Sequence, residues 1–447
     1  MRVYAARWIV PVHAPPVADG AVAVDGGRIA YVGPRSTAPA GDLVDLGEAI
    51  LLPGLVNVHT HLELTVMRGF LEDLAFRPWI LRLTRARQAV LTPALLLASA
   101  KVGIAEGLLA GVTTYADTCE SGVSLQAMVE MGVRGIMYQE VFGPDPAHCD
   151  GAMAGLRGRL ATLQGEQTSQ ARLGISPHAP YTVSDALFAA AARLAADDGW
   201  PIAVHLAESE AESRLVREGG GVFADALGAR GIVVAPRADS PVALLDRLGV
   251  LAVRPLLIHC VRATAPDIRR LALHDCAVAH CPASNAKLGH GVAPLLELLD
   301  AGVRVGLGTD SVASNNRMDL LDEARLAVLM QRATHRRFDA LSSASALALA
   351  THGGAGALGM AHEVGTLAVG KQADLAAFSL GSPRDLPGHS PEDALIWALA
   401  GRPAALVVVA GEERVRDGRL LRPPEGAYDA LQEAGRALAA WRLAGNA

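Results

Sequence analysis

Residues 53–61 read Pro53-Gly54-Leu55-Val56-Asn57-Val58-His59-Thr60-His61. The apolar run from Leu51 to Val58 predicts a short buried strand that ends in two histidines one residue apart. Side chains at i and i+2 of a strand point the same way, so His59 and His61 converge just beyond its C-terminal end. Two imidazoles so placed can grip one divalent metal through ring nitrogens at roughly 2.0–2.1 Å. The competing reading is a pair of ordinary loop histidines. Company argues against it, because apolar runs elsewhere in the chain end the same way.

Working outward, residues 51–364 alternate strand and helix signals. The predicted strands are Leu51–Val58, Val112–Ala116, Gly135–Gln139, Arg172–Ser176, Ile202–Leu206, Pro255–Ile258, Ala277–His280 and Val303–Leu307. Helical stretches such as Pro93 to Ala110 and Asp185 to Asp197 separate most of them. Eight strands in this pattern predict an α/β fold of the (β/α)8 TIM-barrel type, with chemistry at the strand C-terminal ends. A doubly wound sheet is the alternative, but no GxGxxG follows a first strand, which removes its dinucleotide-binding form.

Residues 1–50 and 365–425 carry short strand patterns, including a hairpin across Asp25-Gly26-Gly27. Neither end has strands enough for a stable sheet of its own. The two ends are therefore expected to pair into one small β-sandwich domain, interrupted by the barrel. Residues 426–447 hold a final helix, about Tyr428 to Leu443, expected on the outside.

Composition narrows the function classes. Net charge is −6 and no basic run occurs, so a nucleic-acid partner is disfavoured. No apolar run reaches about 18 residues, so no membrane span is expected. Arg7 and Pro11 interrupt the N-terminal apolar stretch, which does not read as a signal peptide. Five cysteines without a CxxC pair argue against a disulfide framework and a zinc knuckle, and Cys260 and Cys281 read as buried thiols. A cytoplasmic enzyme with a small-molecule substrate is expected. Barrel enzymes often form closed oligomers, so a homo-oligomer stays open, although no stretch marks an interface.

Polar residues fall on the strand ends in a consistent map. The first strand ends in His59 and His61, the fourth runs into His178, and the fifth gives His205 and then Glu208. The sixth ends in His259 and the eighth in Asp310. With 14 histidines in 447 residues, so many strands ending this way is hard to assign to chance.

The stretches PGLVNVHTHLELTVMRG, SPHAPYTVS, VHLAES, LLIHC, CPASNAKLGHG and VGLGTDSVASNNRMDLLDE together resemble the amidohydrolase superfamily, in its branch of mononuclear deaminases of aromatic amines. The resemblance covers nearly the whole chain. It implies one divalent metal per subunit, Zn²⁺ first and Fe²⁺ second, held by His59, His61, His205 and Asp310. It implies Glu208 as the acid/base, His259 facing the metal's water, Asp310 with a part in catalysis, and His178 reaching the substrate. The chemistry agrees: imidazoles and a carboxylate suit such a metal, which lowers the pKa of a bound water toward about 7. A glutamate just past His205 can then protonate the ring nitrogen beside the attacked carbon and the departing amine. Binuclear relatives carry a carboxylated lysine on the fourth strand. Here the three lysines are Lys101, Lys287 and Lys371, and His178 stands at that strand end.

Within the branch the chain is similar to S-adenosylhomocysteine/methylthioadenosine deaminases and, more closely, to the aminodeoxyfutalosine deaminases of menaquinone synthesis. The residues behind this are HTHLELT, Phe76 and Trp79-Ile80 with Arg82 and Arg85 after them, and Leu244 to Gly249. Where homocysteine-type enzymes carry Glu before the tryptophan, this chain has Arg77-Pro78. Aminodeoxyfutalosine carries a benzoate, which Arg77, Arg82 or Arg85 can meet bidentately. Trp79, Ser284, Asn285 and His290 are further pocket candidates, while Ser311, Ser314 and Asn315 shape the loop after Asp310. The expected reaction converts a 6-aminopurine nucleoside to its 6-oxo product and ammonia. Alternatives are a triazine, pterin or guanine deaminase or chlorohydrolase, an amidase with two metals, and a non-catalytic scaffold.

Overall fold

The computed structural model describes residues 1–446. Eight parallel strands form the barrel: β1 (Leu55–Thr60), β2 (Val112–Cys119), β3 (Arg134–Val141), β4 (Ala171–Pro177), β5 (Ala203–Leu206), β6 (Leu256–His259), β7 (Ala277–His280) and β8 (Arg304–Leu307). Strands β1 to β4 pair in order, as do β5 to β8. Parallel bridges from Ile175 to Ile202 and from Thr60 to Asp310 close the ring. Val56, Val58, Ile136, Ala203, Ile258 and Ala279 fill the inside. Leu55, Leu173, Val204, Leu257 and Val305 face the helices instead, as strand alternation requires.

The run Leu51–Val58, expected as one strand, is two. Ala49–Pro53 pairs antiparallel with Leu375–Ser379 in the terminal sheet, and β1 begins after Gly54. A Cβ at Gly54 would meet the Thr113 side chain at 2.2 Å, so only glycine lets the chain cross between sheets there. The terminal sheet has nine strands drawn from both chain ends. It curls back on itself, with Ile29 N–H donating to Lys371 O and Gly370 N–H to Ile29 O. Tyr4, Ile9, Val22, Leu51, Leu375 and Leu406 pack inside the curl. A buried, bidentate Arg134–Asp374 pair (2.9 and 3.2 Å) ties this domain to the start of β3, the barrel end remote from the strand tips.

The last helix, Ala427–Trp441, packs on the outer helices Phe76–Val90 and Pro93–Leu109. No helix among the described residues is long and apolar enough to cross a membrane. All five cysteines are free, with Cys260 and Cys281 buried as expected.

Candidate active site

The strand tips meet at one point. Between Asn57 and Thr60, β1 advances three residues while β2 advances two, from Tyr115 to Asp117. This bulge breaks the alternation after Val58 and re-aims the strand end, so that His59 and His61 close to 4.9 Å between ring centroids. Asp117 fixes the turn, accepting from Thr60 Oγ1 at 2.7 Å and Leu62 N–H at 2.6 Å. Asn57 clamps β1 to β8: its Nδ2 donates to Thr309 Oγ1 (2.8 Å) and its Oδ1 accepts from Thr309 N–H (3.0 Å). Gly308 allows the close approach, since a Cβ there would lie 2.9 Å from His59 Cβ.

Several tips leave the strand in left-handed backbone: Ala207 (φ 52°), His259 (74°), Cys260 (47°) and Asp310 (58°). Such non-glycine residues cost roughly 1–3 kcal/mol each and persist where their surroundings hold them. Here they turn His259 and Asp310 over the barrel mouth.

His59 Nε2 lies 3.1 Å and His61 Nε2 3.6 Å from Asp310 Oδ1, and His205 Nε2 lies 3.3 Å from His61 Nε2. Donors bound at 2.0–2.1 Å around a tetrahedral ion stand roughly 3.3–3.4 Å apart. His205 Nδ1–H donates to the His178 carbonyl at 3.3 Å, so its Nε2 lone pair faces inward. Thr118 Oγ1 holds His61 Nδ1 at 3.2 Å. Burial pulls His59, His61, His205 and His259 below the usual imidazole range. They are neutral near pH 7, as metal ligation requires. Lone pairs converging at these separations are repulsive until a cation lies between them. The donors cluster as His59–His61–His205 and His59–His259–Asp310, two groups that share His59 around a place that fits one divalent metal, with Glu140–His178–His205 as a third group beside them.

Ser284 and Asn285, expected in the pocket, are buried beneath the centre instead. Ser284 Oγ and Ser314 Oγ (2.9 Å) donate to Asp310 Oδ2, leaving Oδ1 for the histidines. Asn285 Oδ1 accepts from His259 Nδ1 at 3.0 Å, which aims His259 Nε2 at Glu208 Oε1, 3.6 Å away. His290 Nε2 stands 3.4 Å from the same oxygen.

Glu208 is itself held by a residue four positions on that the sequence analysis does not single out. Glu212 is fully buried, and its carboxylate accepts from Ala207 N–H (2.8 Å) and Glu208 N–H (2.9 Å). Ser209 caps the helix Glu210–Glu218 through Glu212 N–H. Ser209-x-x-Glu212 is a capping-box signature, the signal from which this anchor is legible.

A cavity of about 630 Å³ opens above the centre, with His61, His178, His205, Glu208, His259 and Asp310 on its floor. Phe76, Trp79, Phe142 and Tyr181 form much of its apolar wall. That size and lining suit a drug-sized ligand. His178, whose Nδ1 bonds Thr182 Oγ1 at 2.8 Å, is pulled down to about 3 by burial and the neighbouring imidazoles. Arg77, Arg82 and Arg85 stand outside the lining, because the helix Phe76–Val90 turns Trp79, Leu83 and Arg87 inward. Arg87 pairs with Glu63 at 2.9 Å and with Glu120. Arg230 is exposed at the rim.

Residues 50–415 match the model of the amidohydrolase family. A 5-methylthioadenosine/S-adenosylhomocysteine deaminase of Nitratidesulfovibrio vulgaris strain Hildenborough is 34% identical over 408 residues, 90% of this chain and 88% of that protein. An adenosine deaminase of Xanthomonas campestris, solved with bound zinc, superposes with a TM-score of 0.86 at 31% identity, over 98% of this chain and 97% of the other. Helicobacter pylori aminofutalosine deaminase shares the fold, with a TM-score of 0.80 at 19% identity, over 92% of this chain and 100% of the other. The strand-end centre, the barrel and these matches agree: this chain belongs to the amidohydrolase family, as a hydrolase acting on carbon–nitrogen bonds.

Proposed function

We propose that the protein is a cytoplasmic, mononuclear metal-dependent deaminase that converts a 6-aminopurine nucleoside to the 6-oxo nucleoside and ammonia. The observation that carries this is Glu208 Oε1 set between His259 Nε2 and His290 Nε2, beside the converging side chains of His59, His61, His205 and Asp310, at the floor of an aromatic-walled cavity. His59, His61, His205 and Asp310 would hold the metal, zinc first and iron second. When bound, such a metal supplies a water acidic enough to act as a nucleophile near neutral pH.

The chain's own groups do the rest. Glu208 takes a proton from the attacking water and gives it to the ring nitrogen beside C6. A C6–O bond forms, Glu208 then takes the remaining proton from the new C6 hydroxyl and delivers it to the amine, and the C6–N bond breaks to leave the 6-oxo ring and ammonia. Its reach is fixed through Glu212, and His259 is fixed through Asn285. The aromatic wall excludes water and offers faces to a flat ring.

The relatives' names favour an adenine nucleoside of the methylthioadenosine or S-adenosylhomocysteine kind. The aminodeoxyfutalosine reading keeps its sequence motifs but loses its carboxylate partners, since Arg77, Arg82 and Arg85 do not line the cavity. Ammonia release from methylthioadenosine, S-adenosylhomocysteine, adenosine, aminodeoxyfutalosine and guanine tests the proposal. Turnover of at least one adenine compound is expected. Silence on all of them, or chloride release from a chlorotriazine instead, would move the protein to another branch chemistry.

A further inference from the structure

Glu140 ends β3 beside His178, and the chemistry above gives it no task. Its side chain lines the cavity, yet the residue is only 5% exposed and its Oε1 is buried with no donor. His178 Nε2 lies 4.0 Å from that oxygen, beyond hydrogen-bond reach. Buried polar atoms in folded proteins are nearly always paired, and an orphan at a cavity wall points to a group that arrives with the ligand. Protein cations do not meet that need. The terminal nitrogens of Arg87 are taken by Glu63 and Glu120. Glu63, Glu120 and Glu140 thus stand on the wall against the Arg87 guanidinium, with Arg230 exposed at the rim. Burial pushes the Glu140 carboxyl well up, and Glu63, Glu120 and Asp117 push it further. Such a wall accepts hydrogen bonds and resists anions.

We propose that Glu140 is a specificity residue that hydrogen-bonds vicinal hydroxyls of the substrate, the pair a ribose presents. A carboxyl group has two oxygens side by side and so can bond two adjacent hydroxyls, accepting from both when ionised and, when protonated, accepting from one and donating to the other. The assignment rests on the nucleoside reading and narrows it to ribonucleosides.

The test compares adenosine with 2′-deoxyadenosine on the wild type, Glu140→Gln and Glu140→Ala. The wild type is expected to prefer adenosine by about tenfold or more in kcat/KM, because a site built for a hydroxyl rejects the analogue lacking it. Glu140→Ala should reduce that preference to within about threefold, chiefly through KM, with Glu140→Gln, which keeps one acceptor, in between. Metal content should be unchanged in both variants. An unchanged preference in Glu140→Ala, or an equal loss on both nucleosides carried by kcat, would overturn the assignment. If the wild type releases no ammonia from either nucleoside, the deaminase reading is decided on the other adenine compounds, and it fails only if they too are silent. Calorimetric Kd values for the same pair then decide Glu140 independently: loss of a wild-type preference in Glu140→Ala upholds it, and no difference overturns it.

Discussion

At the floor of the cavity, most groups aimed at the centre are tied down from behind. His61 is held by Thr118, His205 by the His178 carbonyl, and His259 by Asn285. Asp310 is held by Ser284 and Ser314, and Glu208 through Glu212. On the facing wall, Glu140 Oε1 and the Trp79 indole nitrogen are buried with no partner at all. The contrast separates two jobs. Reacting groups must stand in place before substrate arrives, since misplaced ones forfeit rate. Substrate-reading groups are completed by the substrate, and their missing bonds show where it docks.

The contrast breaks most visibly at Glu208. Glu208→Gln keeps the size of the side chain but cannot shuttle the proton, and should lose about 10²–10⁴ in kcat while retaining its metal. Steady-state rates with metal analysis on one preparation check this, and a rate within a few-fold of wild type would remove Glu208 from its role. A smaller loss is expected behind Asp310. Replacing Ser284 and Ser314 by alanine frees Oδ2 and should weaken metal binding by about 10–100-fold, read by chelator competition. Unchanged affinity would mean that Asp310 does not depend on those hydroxyls for its aim.

The smallest effect tests whether every orphaned polar atom means a ligand. His280, on β7, has both ring nitrogens buried without partners, yet it does not line the cavity. Burial pulls it from 6.5 down to about 4. Between those values the unfolded chain binds the proton and the folded one does not. The stability that neutral His280 contributes is therefore fully present above pH 6.5 and is lost as pH falls toward 4. His280→Leu should gain in Tm relative to wild type over that window, and a difference flat with pH would contradict the assignment.

Much of the reacting floor was legible in the sequence, because strand ends are marked by where apolar runs stop. His59, His61, His205, His259 and Asp310 each stand at such a stop, and a barrel gathers its strand tips at one mouth. What hydrophobicity could not report was which sheet a strand joins. The apolar run through Gly54 is continuous, yet the chain changes sheets there. The wall was harder to read because it sits on a helix, where the inward face follows a 3.6-residue period. Steps of four from Trp79 reach Leu83 and Arg87, which line the cavity, while Arg82 and Arg85, on the steps of three, fall outside it. Ser284 and Asn285 fall near the centre as expected, but beneath it, because the helix Pro282–Lys287 turns them toward Asp310 and His259.

The most direct measurement is metal stoichiometry in the purified protein and in Asp310→Ala and His205→Ala, by elemental analysis after equal exposure to Zn²⁺. One equivalent in the wild type, about a tenth or less in each variant, and loss of turnover in step are the expected result. Two tightly held equivalents in the wild type, or undiminished metal in the variants, would contradict a single centre built from these strand ends.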